Sequence, residues 1–160
     1  MSDELEIRPA DPPDLGLILS FIREIAEFEK LAHEVIATEE GMFEYLFGER
    51  PVAEVLIAEI GGSPVGFALF YQNFSTFVGR PGIHLEDIFV REQARGRGVG
   101  KALLIEVARI AHERQCGRLE WNVLDWNSSA ISFYESLGAK IHSEWKMTRM
   151  DAKAIANLLD

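Results

Sequence analysis

Residues 85–104 combine arginines, glycines and an amphipathic segment in a pattern suited to binding an anion. A short apolar strand leads into a basic, glycine-rich turn over residues 91–100, and a helix with an apolar stripe follows. The free amides of a first helical turn and the helix dipole both favour negative charge. Arg95 and Arg97 add guanidinium groups, which suit phosphate. The stretch therefore predicts a site for a phosphate-bearing ligand.

The spacing of these residues does not match either of two common phosphate-binding motifs. A dinucleotide-binding fingerprint that starts at Gly96 would require glycine at the position of Lys101. A P-loop that ends at Lys101 would require glycine at the position of Arg95, and Ser or Thr at that of Ala102. Neither a dinucleotide fold nor a P-loop NTPase is therefore indicated.

Composition sets the class of protein in which this anion site must work. A chain of 160 residues with 48% hydrophobic residues predicts one globular domain over residues 1–160. No apolar run approaches a membrane span, the N-terminus lacks the apolar core of a signal peptide, and the single cysteine, Cys116, fits a reducing cytoplasm. The net charge of −10 argues against nucleic-acid binding and is compatible with a cationic substrate.

Hydrophobic periodicity predicts a mixed α/β chain. Helices are expected over residues 12–31, 38–47, the segment after Gly100, 128–137 and 151–159. Strands are expected over residues 5–8, 52–59, 65–72, 83–90, 118–124, 139–142 and 145–150. The order β, α, α, β, β, β, α, β, α, β, β and a last helix is that of a mixed α/β sandwich and not of a regular doubly wound sheet.

The spacing Arg95-x-x-Gly98-x-Gly100 resembles the pyrophosphate loop of the GNAT superfamily of acyl-CoA-dependent N-acyltransferases. A second GNAT signature, N-x-x-A-x-x-F-Y-x-x-x-G-A, starts at Asn127. The segments 22–31 and 83–87 resemble the diamine (spermidine/spermine) acetyltransferase subfamily, and the spellings AEFEKL and VLDWN are similar to its thialysine-acetylating branch. The resemblance implies a splayed, mostly antiparallel sheet flanked by helices, and acetyl-CoA as co-substrate without a metal.

The resemblance also implies which residues hold the acetyl-CoA. The pantetheine arm is expected to pair with the backbone of Ile88, Phe89 and Val90, where two neighbouring strands separate. The pyrophosphate is expected on the amides and side chains of the turn, at Arg95, Gly96, Arg97, Gly98, Val99, Gly100 and Lys101. The pantetheine or acetyl end is expected at Asn127, Ser129, Ala130 and Phe133.

Two residues are the catalytic candidates in this interpretation. The attacking amine must be neutral, yet an alkylamine has a pKa of about 10.4, so a proton acceptor is needed. Glu86 occupies the acidic position of the subfamily; its alternatives are a salt-bridge partner or a substrate anchor without proton transfer. Tyr134 occupies the family's tyrosine position and is the candidate acid for the departing thiolate; its alternative is a packed aromatic. Asp87 is expected to be structural, since adjacent strand residues face opposite sides.

By the same resemblance, the acceptor amine is expected to contact residues in four segments. These are Phe28, Glu29, Glu86, Glu120, Trp121, Asn122 and Glu144. A thialysine- or lysine-like amino acid is the first substrate class and a di- or polyamine the second. A protein-directed acetyltransferase and a non-catalytic acyl-CoA-binding module are the alternative functions. Members of the subfamily are commonly homodimers, and a homodimer is expected here.

Overall fold

The structure, a computed structural model, describes residues 3–159. The single-domain prediction extends to residues 1, 2 and 160, which lie outside the described range. The chain forms two compact units, the first running to Asn122 and the second starting at Val123. The two units are described separately below.

A five-stranded sheet forms the frame of the first unit. Its strands are β1 (Leu5–Pro9), β2 (Glu54–Ile60), β3 (Ser63–Ser75), β4 (Arg80–Val90) and β5 (Arg118–Trp121), in the spatial order β1-β2-β3-β4-β5. The first four strands pair antiparallel, and β5 joins β4 in parallel. This mixed, mostly antiparallel sheet confirms the predicted fold class.

Helices cover both faces of this sheet: α1 (Leu15–Phe28) and α2 (Glu39–Phe47) precede β2, and α3 (Val99–Glu113) follows β4. Ile18 and Phe21 of α1 pack with Val55, Ile57 and Phe67 in one buried cluster. The intervening residues of β2 are also buried and face the other side, where α3 contacts all five strands. The sheet is therefore apolar on both faces.

One arginine fixes α1 against the ends of β3 and β4. The Arg91 Nε donates to a Glu24 carboxylate oxygen at 3.0 Å, and its guanidinium lies 4.6 Å from the centre of the Phe21 ring. A second nitrogen of the same group donates to the carbonyl of Pro64 at 3.1 Å. These contacts hold the C-terminal half of α1 beside the end of β4, where the predicted site begins.

The second unit contains two helices, α4 (Ser128–Ser136) and α5 (Ala152–Asn157). Their first turns are capped by the side chains of Asn127 and Asp151. The predicted strands over 139–142 and 145–150 are wrong, since these residues lie in neither helix nor strand. Alternating apolar residues form a strand only where a neighbouring strand pairs with them. Trp145 is 75% exposed, so most of its side chain does not pack against the protein interior.

No helix within residues 3–159 combines the length and the apolar character that a membrane crossing requires.

The Phe21–Phe67 contact generates a prediction for stability. The rings stack with their centres 5.1 Å apart, and Phe67 is fully buried. We expect Phe67→Ala to lower the free energy of unfolding by about 3–5 kcal/mol, because it leaves a cavity at the centre of the core. The control Phe77→Ala, at a residue 88% exposed, should change it by no more than about 0.5 kcal/mol. Equal losses in urea unfolding would contradict this assignment of the core.

Candidate active site

Strand β4 loses its neighbour β5 halfway along its length. The parallel register runs from Gly82 opposite Arg118 to Leu85 opposite Trp121, where β5 ends. β4 continues to Val90 and stays paired with β3 on its other side. Residues 86–90 therefore present an edge that no strand of the described chain occupies, as the predicted separation of these strands requires.

The register identifies which backbone groups face this edge. The Arg91 N–H donates to the Val65 carbonyl at 2.8 Å, and Gly66 lies opposite Val90. Hydrogen-bonded and non-hydrogen-bonded pairs alternate in an antiparallel ladder, so Val90 belongs to a non-hydrogen-bonded pair, as does Ile88 two residues earlier. The N–H and C=O groups of Ile88 and Val90 point away from β3 toward the open edge. Those of Phe89 point toward β3, so only its neighbours suit the predicted backbone pairing.

A β-bulge lies at the point where the two strands part. Leu85 is opposite Phe70 and Asp87 is opposite Leu69, so Glu86 is an extra residue with no partner in β3. The bulge interrupts the alternation of faces assumed in the sequence analysis. Leu85 and Asp87 consequently lie on opposite faces, and Asp87 shares the face of Phe89, which packs against the core cluster under α1.

The glycine turn after β4 leads into the uncapped N-terminus of α3. Gly96 and Gly98 have φ angles of 76° and 78°, which other residues rarely adopt. Gly98 is the residue before the helix and provides no side-chain cap, whereas Thr38 and Asn127 cap α2 and α4. Gly100 lies within α3 and does not have a positive φ. The first amides of α3 thus face outward, suited to an anion.

Three cations accompany this turn, and each is exposed. They are Arg95, Arg97 and Lys101. Arg95 is held in place: its Nε donates to the Val90 carbonyl at 3.0 Å, and its guanidinium carbon lies 5.1 Å from the Phe28 ring centre and 5.7 Å from that of Phe89. The turn therefore combines free amides with positive charge, the features that a pyrophosphate needs.

An acidic cluster, formed by Glu29, Glu86 and Asp87, lies at the start of the open edge. Burial and the neighbouring charges of Glu86 and Glu29 raise the pKa of Asp87 to about 7. Burial and the charge of Glu86 also raise the pKa of Glu29. Mutual repulsion of this kind is relieved by a bound cation, so the cluster suits an ammonium group.

Two further residues border the acidic cluster. His84 lies opposite Tyr71 across the β3–β4 ladder, with ring centres 5.0 Å apart. The His84 Nε2 is 3.4 Å from a Glu86 carboxylate oxygen. Burial and the charge of Glu86 raise the pKa of the Tyr71 hydroxyl. These contacts extend the acidic cluster along β3 and β4.

The end of α1 determines where Phe28 and Glu29 lie. Lys30 adopts a left-handed conformation with φ 63°, and the Leu31 N–H donates back to the Ala26 carbonyl at 2.8 Å. This is a helix-terminating turn in which glycine is more usual. It stops the helix directly before Glu29, whose carboxylate lies close enough to Glu86 for that charge to raise its pKa.

Two of the predicted acceptor residues lie on β5, where successive side chains point to opposite faces of the sheet, and a third follows the strand. Glu120 lies opposite His84 in the parallel ladder and is exposed, while Trp121 lies opposite Leu85 and is partly buried. Asn122 follows the last residue of the strand and is exposed. Glu120 therefore shares a face with His84 and Tyr71, whereas Trp121 faces the opposite side.

The remaining predicted residues lie in the second unit. The Asn127 Oδ1 accepts from the Ala130 N–H and from the Ser129 hydroxyl, both at 3.4 Å, so it organises the start of α4. Phe133 and Tyr134 have ring centres 5.6 Å apart, and Tyr134 is partly buried.

Glu144 is exposed and close to one other ionisable residue of the second unit. One of its carboxylate oxygens is 3.2 Å from the His142 Nδ1. A backbone hydrogen bond and this contact lower the pKa of Glu144. Its predicted contact with the acceptor remains a prediction.

Asp87 was expected to be structural, and Tyr71 and His84 were not among the predicted site residues. Their proximity depends on the register of the β3–β4 hairpin and on the bulge, neither of which leaves a local signal. Within residues 3–159, no group of three or more His, Cys, Asp or Glu side chains is arranged to hold a metal ion.

The raised pKa of Asp87 generates a prediction for stability against pH. An unfolded aspartate has a pKa of about 3.9 and the native one about 7, so between these values the native state keeps a proton that the unfolded state has lost. The free energy of unfolding should therefore fall as the pH rises through this window, by at most about 1.4 kcal/mol per pH unit from this group. Asp87→Asn should lack this contribution.

Urea unfolding at pH 5, 6, 7 and 8 checks this expectation. The stability of Asp87→Asn relative to the native chain should increase with pH and level off above pH 7. Asp125→Asn, at an exposed residue of the second unit, is the control and should run parallel to the native chain. A constant difference between Asp87→Asn and the native chain would contradict the raised pKa.

The comparisons with known proteins agree with this geometry. A model described as the acetyltransferase (GNAT) family matches residues 19–139. Thialysine N-epsilon-acetyltransferase of Bos taurus is 40% identical over 163 residues, covering 95% of each chain. L-ornithine N5-acetyltransferase NATA1 of Arabidopsis thaliana is 34% identical, covering 93% of this chain and 85% of its own length.

A solved structure agrees over nearly the whole chain. It is an integron cassette protein from the mobile metagenome of V. cholerae, with a TM-score of 0.79 and 29% identity, covering 99% of this chain and 98% of its own. The strand separation, the glycine turn before α3 and these similarities lead to one conclusion: the chain belongs to the acetyltransferase (GNAT) family and is an N-acetyltransferase.

Proposed function

We propose that this enzyme transfers the acetyl group of acetyl-CoA directly to a primary amine of a small cationic acceptor, with both substrates bound at once. The observation that carries the proposal is the acidic cluster at the start of the open edge of β4. A cation site beside an edge suited to an extended acyl carrier brings the two reactants of an amide-forming transfer together. The family match spans residues of both compact units, which supports one catalytic domain.

The first unit has the groups that acetyl-CoA would need. Backbone groups of Ile88 and Val90 face the open edge, as an extended amide chain requires. The first amides of α3, with Arg95 and Arg97, suit the pyrophosphate. Acetyl-CoA supplies an activated thioester, whose carbonyl carbon is attacked by the amine. By family resemblance, Asn127, Ser129, Ala130 and Phe133 complete the acetyl end.

The Glu86–Asp87 pair accepts the proton of the amine in this proposal. Glu86 is exposed and can reach an incoming ammonium, while Asp87 is partly buried beside it. The charge of Glu86 is one cause of the raised pKa of Asp87, which shows that the two carboxylates lie close together. A pKa of about 7 on Asp87 suits a base that works near neutral pH.

Two further groups complete the proposed chemistry. As the amine attacks, negative charge develops on the thioester oxygen and needs a fixed donor. The N–H groups of Ile88 and Val90 point toward the open edge and are the candidates for this role. Tyr134 is the proposed acid that protonates the departing CoA thiolate, on the strength of its position in the family signature.

The acceptor class follows from the charge of the site and from the relatives. Glu29, Glu86 and Glu120 favour a positively charged end, which thialysine, lysine, ornithine and polyamines all possess. The two relatives described above are named for thialysine and ornithine, which supports a side-chain amine of an amino acid as the leading class. A polyamine is second. A homodimer in the cytoplasm remains our expectation for the assembly.

Matched pairs of acceptors test this proposal. Lysine with cadaverine, and ornithine with putrescine, differ only in the α-carboxylate, so each pair isolates its recognition. We expect kcat/KM for the amino acids, thialysine included, to exceed that of the diamines by about tenfold or more, the effect of one charge-assisted hydrogen bond. Release of free CoA and the mass of the product are the measurements.

The other outcomes of this panel are equally informative. A preference for putrescine, cadaverine or spermidine would reverse the order of the two acceptor classes. Acetylation of a lysine-containing peptide alone would indicate a protein-directed enzyme. If no acceptor releases CoA although acetyl-CoA binds, the enzyme proposal fails and a binding module remains.

The proposed proton acceptors lead to a kinetic prediction. Glu86→Gln should lower kcat about 10²- to 10⁴-fold, because the amine loses its direct acceptor. Asp87→Asn should remove the limb of the pH–kcat/KM profile with an apparent pKa near 7. The matched control Glu6→Gln changes an exposed carboxylate of β1 and should leave both unchanged. If Glu86→Gln retains the native kcat, KM and pH profile, Glu86 is neither base nor anchor.

A further inference from the structure

Arg95 connects the glycine turn to the end of α1 through its side chain. Its guanidinium lies 5.1 Å from the centre of the Phe28 ring, and Phe89 is the second ring beside it at 5.7 Å. Its Nε donates to the Val90 carbonyl at 3.0 Å, a group that faces the open edge of β4. We infer that Phe28 is a positioning residue for acetyl-CoA, because its ring holds the Arg95 guanidinium where the turn receives the pyrophosphate.

The inference rests on the proposed function of the glycine turn and goes beyond it. The family resemblance implies that Phe28 contacts the acceptor amine. The observed ring contact instead gives it a role toward the other substrate. An arginine side chain has many rotamers, and fixing it before the ligand arrives lowers the entropic cost of binding.

The contact has the character of a specific interaction more than of core packing. Phe28 is 43% exposed and Arg95 is exposed, so neither is needed to fill the interior. A guanidinium over an aromatic face is attracted by the ring quadrupole, and aliphatic side chains of similar size cannot replace that attraction. The elements that carry the two residues are far apart in sequence, since Phe28 ends α1 and Arg95 precedes α3.

A consequence is energetic coupling between the two substrates. The ring that holds Arg95 adjoins Glu29 of the acidic cluster, and a change at Phe28 therefore affects both binding sites. Coupling between sites is reciprocal in binding free energy. Binding of the acceptor should alter the affinity for acetyl-CoA in the native chain, and that effect should decrease when the ring is removed.

Calorimetric titration with acetyl-CoA tests the inference. Phe28→Leu keeps an apolar side chain but removes the ring, and it should weaken acetyl-CoA binding about threefold, the effect of an exposed cation–π contact. Phe28→Tyr keeps the ring face and should bind like the native chain. In an Arg95→Gln background, Phe28→Leu should have no further effect, because the cation is already absent.

The acyl donor S-acetyl-pantetheine provides a readout that a merely structural role would not change. It lacks the pyrophosphate, so Phe28→Leu should lower kcat/KM for acetyl-CoA about threefold more than kcat/KM for S-acetyl-pantetheine, because any effect through the acceptor site is common to both donors. Phe43→Leu, at a half-exposed ring on α2, is the control and should leave acetyl-CoA binding unchanged. Thermal unfolding verifies that each variant is folded.

The results that overturn the inference are distinct from those that overturn the proposed function. Unchanged or tighter acetyl-CoA binding by Phe28→Leu, or equal losses with both acyl donors, would reject the positioning role alone. Absence of acetyl-CoA binding by the native chain would reject the proposed function together with this inference.

Discussion

The open edge of β4 beyond Leu85 is the constraint on which the rest of the site depends. Backbone N–H and C=O groups need hydrogen-bond partners, and most sheets provide them by adding another strand. Here β5 ends at Trp121, and the groups of Ile88 and Val90 face a gap. An extended ligand can satisfy them as a strand would. The glycine turn follows directly along the chain, so recognition of the carrier and of its phosphates is built on consecutive residues.

In the acidic cluster, carboxylates lie close together and partly buried, although both conditions destabilise their charged forms. Burial and like charges raise the pKa values of Asp87 and Glu29, which means that their ionised forms are less stable here than in water. The cost is tolerated because the apolar layers under α1 and α3 support the sheet on both faces. A bound ammonium would relieve the repulsion between the carboxylates. The charges of the site are therefore balanced only when a cationic ligand is bound.

Structural features that depend on residues close together in the chain could be predicted from the sequence. The glycine turn and the amphipathic helices each depend on residues a few positions apart, and their predictions are confirmed. Asp87 was expected to be structural because adjacent strand residues alternate in face, a rule that fails at a bulge, and the Tyr71–His84 contact needs the hairpin register. The segment 145–150 has the alternation of a strand, but pairing depends on a distant neighbour that local sequence does not reveal.

At the bulge, the side chain of Glu86 belongs to the acidic cluster but takes no part in the pairing of β4 with β3. Glu86 has no partner in β3, so the ladder does not depend on which side chain stands there. A substitution at this position alters the site and leaves the strand pairing intact. A deletion would leave Leu85 opposite Phe70 and Asp87 opposite Leu69, and it would remove only the carboxylate of Glu86. The extra residue is thus a point at which related sheets can acquire different acceptor chemistry without being rebuilt.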